Sequence, residues 1–160
     1  MNFEQAISFI LKAEGGWVND SDDNGGETKF GISKNAYPNL DIASLTIEQA
    51  KQIYKKDYWD KIKADQLPEK IRLAAFDSAV NQGIGYTSKA LQESAGDRNP
   101  DGHIGPNTIK LINSIDSSQL LSNFIKHRLE RYKKSSDFNK FGKGWLNRLS
   151  SVEQLCNKIA

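Results

Sequence analysis

The sequence predicts a mainly α-helical (α+β) single domain, with about seven helices and one small β-hairpin after the first helix. Apolar residues recur at helical spacing through most of the chain, while the β-prone runs are short and confined to residues 17–32. The length of 160 residues suits one core that buries roughly two-thirds of the surface exposed by the unfolded chain. Residues 1–67 carry the pattern with chemical potential, and residues 68–160 read as a helical second half.

In the first helix, Phe3, Ala6, Ile7, Ile10, Leu11 and Ala13 share helical spacing, and Asn2 with Gln5 forms a capping pattern. Glu14 closes it, because Gly15-Gly16 cannot continue a helix cheaply. The unpaired carbonyls at the helix end and the apolar neighbours both favour a protonated carboxyl, which is what a general acid requires. The competing reading is a solvated glutamate at a helix terminus. Trp17-Val18 and Thr28-Lys29-Phe30-Gly31-Ile32 then read as strands joined through a turn at Asn24-Gly25. Such a hairpin brings a second carboxylate, Asp22 or Asp23, and the Thr28 hydroxyl to face Glu14 across a cleft. An acid opposed by a group that activates water or stabilises charge is the arrangement that glycosidic bond cleavage needs.

Residues 35–44, with Pro38, read as a loop leading to a helix capped by Thr46 and Gln49, whose stripe is Ile47, Ala50, Ile53, Tyr54 and Tyr58. Tyr54, Tyr58 and Trp59 fit either a core or a sugar-stacking platform. After Pro68, Ile71 to Val80 is nearly continuously apolar and reads as the central helix. Asp77 and Asn81 interrupt it four residues apart, so their polar groups must be satisfied locally or face a cleft. A short helix from Ser88 to Gly96 and a loop at 97–105 precede a helix opened by Pro106. A long amphipathic helix follows through Leu120, Leu121, Phe124, Ile125, Leu129 and Tyr132. The last helix carries Trp145, Leu146, Leu149, Val152, Cys156 and Ile159, after a loop containing Gly142 and Gly144.

Twenty-two Lys and Arg against 20 Asp and Glu leave too little positive charge for nucleic-acid binding. Cys156 is the only cysteine, so no disulfide framework exists, and its helical neighbours mark it as a buried hydrophobe. His103 and His127 lack paired-ligand spacing, which argues against zinc. Two loops begin like calcium loops, at Asp97 and Asp20, but have Thr108 and Gly31 at the twelfth position, where a bidentate glutamate belongs. No metal and no cofactor are expected. No signal peptide and no apolar run of about 18 residues stand out, so synthesis in the cytoplasm without membrane insertion is expected.

Glu14-Gly15-Gly16-Trp17 with Asp23-Asn24-Gly25-Gly26-Glu27-Thr28-Lys29-Phe30-Gly31-Ile32 resembles the E-G-G-Y…D-P-G-G-x-T-x-x-G-I pattern of glycoside hydrolase family 108. This is the lysozyme-like family of phage endolysins and secretion muramidases. Ala36-Tyr37-Pro38, Leu45 to Ala50, Asp57-Tyr58-Trp59, Asp77 to Gly83 and Phe141 to Trp145 look like its later landmarks. Trp17 replaces a tyrosine and Asn24 a proline, and neither change removes a titratable group. The resemblance implies an N-acetylmuramidase, acting on the β-1,4 bond between N-acetylmuramic acid and N-acetylglucosamine. Glu14, Asp23 and Thr28 would be catalytic, and Trp17, Asp22, Tyr54 and Asn81 would line the substrate. Phage-type lysozymes show E-x8-D-x5-T, whereas Glu14, Asp23 and Thr28 are spaced E-x8-D-x4-T, so Asp22 and Asp23 both stay open.

Ala79-Val80-Asn81-Gln82-Gly83 is also similar to the A-Y-N-x-G motif of lytic transglycosylases. Leu91-Gln92 with Asp101-Gly102-His103-Ile104-Gly105-Pro106-Asn107-Thr108 resembles the L-Q…D-G-x-x-G-P-x-T pattern of peptidoglycan-binding modules. A lytic transglycosylase using Glu14 alone, or a non-catalytic wall-binding accessory protein, is therefore the alternative. Peptidoglycan is the expected partner in each case, met by a monomer in the periplasm after holin- or export-dependent release.

Overall fold

The computed structural model describes residues 1–16 and 26–160, which contain seven α-helices and one two-stranded antiparallel sheet. In α1, Phe3–Glu14, Asn2 and Gln5 close a reciprocal capping box, the Gln5 amide donating to Asn2 Oδ1 at 2.9 Å. The sheet pairs β1, Thr28–Lys29, with β2, Ile32–Ser33, in the register Thr28 to Ser33 and Lys29 to Ile32. The stretch expected to be one strand thus folds back on itself. Phe30 and Gly31 both adopt positive φ, 54° and 78°, the conformation that a two-residue turn between right-twisted strands demands. The expected strand at Trp17-Val18 and turn at Asn24-Gly25 lie outside the described residues.

Helix α2, Ile47–Tyr54, is capped as Thr46 and Gln49 predict, and a π-helical turn, Lys55–Trp59, extends it. That turn changes which aromatic enters the core. An α-helix would stack Tyr58 beneath Tyr54, whereas the wider turn swings Trp59 inward, fully buried, with its indole N–H donating to Asp65 at 3.0 Å. Trp59 meets Phe3 and Phe76 edge-on, at ring centroids 5.5 and 5.2 Å apart.

Helix α3, Arg72–Gln82, is the central element, with every side chain from Leu73 to Ala79 buried. It packs against α1, α4 (Ile84–Ser94), α6 (Ser117–Lys134) and α7 (Phe138–Asn157), while α5 (Pro106–Ser114) packs on α4. A hydroxyl pair, Ser78 with Thr87 at 2.7 Å, ties α3 to α4. Gly142 and Gly144, expected in a loop, lie inside α7. A Cβ at Gly142 would come 2.7 Å from the Phe138 ring, so glycine there lets the ring lie on its own helix, and this packing overrides glycine's low helix propensity. Cys156 is fully buried in α7, and burial pushes its thiol up to about 11. Among the described residues no helix is long and apolar enough to cross a membrane.

Candidate active site

Glu14 stands at the last position of α1, with 24% of its side chain exposed. Gly15, at φ 78°, turns the chain away while its N–H still donates to Leu11 at 3.2 Å. The hairpin turn is laid directly on the Glu14 stem, since a Cβ on Gly31 would come 2.8 Å from Glu14 Cβ and would also collide with the Tyr54 hydroxyl. Only glycine has both the backbone freedom and the empty volume for this approach. Tyr54 is 1% exposed, and its hydroxyl donates to Phe30 O at 2.6 Å. Burial, and next the charge of Glu14, push its phenol far above the ordinary range. Of the two readings open to Tyr54, core residue or sugar-stacking platform, its buried ring takes the first, and from there it braces the hairpin against Glu14.

The partner of Glu14 comes from α7. Arg148 Nη2 lies 2.9 Å from Glu14 Oε1 and 2.8 Å from Asp77 Oδ1, and its Nε donates to the same Asp77 oxygen at 2.9 Å. Burial alone would weaken the charge on this guanidinium, but Asp77 and then Glu14 outweigh it and hold Arg148 more firmly charged than usual. The other oxygen of Asp77 accepts from Arg128 Nη2 at 2.8 Å, both side chains being fully buried. Arg128 also donates to Gln82 Oε1 at 2.6 Å and to Ala74 O at 3.3 Å. Its Nη2 donates further to the Tyr132 hydroxyl, which in turn donates to Asn81. Two carboxyl groups and two guanidiniums thus alternate in a chain that runs from the end of α1 into the core. A buried ion pair is tolerable only when its remaining polar atoms are also bonded, and the Asp77–Arg128 pair meets that condition.

Two cavities adjoin this chain. One, of about 780 Å³, lies between α1 and α7 and is lined by Phe9, Ala13, Asn81, Trp145 and Arg148 among others. The second, of about 530 Å³, shares Asn81 and Trp145 and opens toward the end of α6. Trp145 stacks on Tyr132 with centroids 5.1 Å apart, and Phe141, 46% exposed, lies 6.0 Å beyond. Asn81 therefore borders both cavities. Thr28 is half-buried in β1, in the hairpin whose turn touches Glu14. Trp17, Asp22 and Asp23 lie outside the described residues. Sequence reasoning missed Arg148 and Arg128, because an arginine on an amphipathic helix reads as a wet face. The available signal was Asp77, an acid on a buried helix that requires a cation from elsewhere in the chain.

The stretch resembling a peptidoglycan-binding module has a structural explanation. Gln92, buried on α4, donates to Asp101 at 2.9 Å and His103 O at 3.0 Å, and accepts from Gly102 N at 2.9 Å. Gln92, followed by the His103 N–H, holds the Asp101 carboxyl below its usual range. The pattern thus latches the 97–105 loop onto α4. Among the described residues no group of three or more His, Cys, Asp or Glu could hold a metal ion.

Residues 7–83 match the family described as glycosyl hydrolase 108, and residues 86–150 match one described as a predicted peptidoglycan domain. The chain is similar to a solved structure of SagA from Brucella abortus, with 30% identity and a TM-score of 0.88. That likeness covers 98% of this chain and 94% of the other. Among curated proteins none matches.

Proposed function

The chain belongs to the glycosyl hydrolase 108 family, has a peptidoglycan-related function, and on that premise we propose that it is an N-acetylmuramidase with Glu14 as proton donor. The observation that carries this reading is the setting of Glu14. It is a half-buried carboxyl at a helix end beneath a glycine turn, and the Arg148 that touches its Oε1 lines a cavity large enough for sugar rings. Arg148 engages Oε1, so Oε2 is the oxygen through which the carboxyl would protonate the leaving sugar oxygen. A hydrolase of this kind also needs a group that activates water or stabilises the oxocarbenium-like transition state. Asp22 or Asp23, together with Thr28, is proposed for that part. The protein would reach the wall through a holin or an export route.

Glu14→Gln tests the reading. The amide keeps the shape, and Asp77 still pairs Arg148, so the variant should fold normally while losing about 10²- to 10⁴-fold in rate. Mass spectrometry of a purified peptidoglycan digest supplies the second readout. Reducing N-acetylmuramic ends are expected, whereas anhydro ends would make the protein a lytic transglycosylase. Unchanged clearing by Glu14→Gln, with a normal circular dichroism spectrum, would remove Glu14 from the chemistry.

A further inference from the structure

The smaller cavity has a chemistry that glycan cleavage alone does not call for. Its lining includes Arg131 and Lys134 from the end of α6, Ser135, and an aromatic wall of Trp145 on Tyr132, with no carboxylate among the described residues. Arg131 lies 4.4 Å over the Tyr86 ring, which fixes the guanidinium without neutralising it. Among the described residues neither Arg131 nor Lys134 pairs with an acid. Two cations with no acid partner among the described residues, beside a hydroxyl and an apolar wall, suit a ligand that carries carboxylates on a short, partly apolar chain.

The position of the cavity selects the ligand. Asn81 and Trp145 line both this cavity and the one bordered by Arg148, the partner of Glu14, so the two spaces are contiguous along α3 and α7. Peptidoglycan carries a peptide on the lactyl group of every N-acetylmuramic acid, the sugar on one side of the bond to be cut. We infer that this cavity receives the carboxylate-bearing peptide stem of the strand held at Glu14, an inference that rests on the glycan reading above. The neutral sugar backbone gives Arg131 and Lys134 nothing to pair with, and the stem carboxylates do.

Calorimetric binding to the Glu14→Gln variant provides the test, with two probes: a disaccharide-tetrapeptide muropeptide and the same disaccharide with its lactyl carboxyl capped as a neutral methylamide in place of the peptide. The peptide-bearing ligand should bind at least tenfold more tightly. The Arg131→Ala/Lys134→Glu double variant should abolish that advantage and leave the peptide-free affinity within twofold. Because Arg131 packs on Tyr86, Lys134→Glu alone serves as the second variant, and a threefold or greater loss of the advantage is expected. Equal affinity for the two ligands, or an advantage that survives both variants, overturns the proposal. The glycan reading fails separately: wild-type protein would then leave glycan strands uncut while the stem advantage persists.

Discussion

At Gly31 a single missing Cβ sets the distance between the hairpin and the carboxyl of Glu14. Gly31→Ala would force a side chain into positive φ against Glu14 and the Tyr54 hydroxyl. Together these effects should cost about 2–4 kcal/mol, read by denaturant titration, and activity should fall with stability. A loss of under about 0.5 kcal/mol would mean that the turn shifts freely and does not define the site. Glu14 was legible in the sequence, because an apolar helical period that stops at two glycines shows where the helix ends. Its partner was not, since nothing local distinguishes Arg148 from the other basic residues of a wet helix face. Long-range charge pairing leaves no mark in residue spacing.

Between elements, the tie from α2 to the hairpin runs through one hydroxyl, Tyr54 to Phe30. Tyr54→Phe should lower stability by about 1–2 kcal/mol, because the buried partnership is lost with almost no change in volume. It should also lower kcat by loosening the turn on Glu14. Thermal unfolding and initial rates on peptidoglycan would check both, and a variant with wild-type stability would show that the hydroxyl braces nothing. The capping boxes at Asn2 and Thr46 and the apolar face of α3 were readable because each is encoded within a few residues. The reversal within Thr28–Ile32 was missed because Phe30, a bulky residue at positive φ, gives no turn signal, while the turn read at Asn24-Gly25 lies outside the described residues. The π turn at Lys55–Trp59 answers to packing against distant rings, and the helical Gly142 to the Phe138 ring one turn earlier, where two glycines read more readily as a loop.

On the scale of the whole molecule, Asp77 joins α3 to α6 and α7 through two guanidiniums. Asp77→Asn removes the negative charge shared by Arg128 and Arg148 and leaves Arg128 buried without its counterion. The expected cost is about 3–5 kcal/mol, measured by urea denaturation. A loss below about 1 kcal/mol would show that water or a neighbouring group already compensates these arginines. The mainly α architecture was legible from periodicity alone, since the buried faces of α3, α6 and α7 follow it closely. The ion chain running through those faces was visible only as an unexplained acid.

The two family matches meet inside this chain: Glu14 and Asp77 belong to residues 7–83, while Arg128 and Arg148 belong to residues 86–150. Opposite charges are therefore divided between the segments, acids in one and bases in the other. The segments are not interchangeable cassettes, because a recombination joint near residue 84 would separate each acid from its base. A second segment grafted in place of this one would have to present both arginines in register, or Glu14 and Asp77 would be left without their partners.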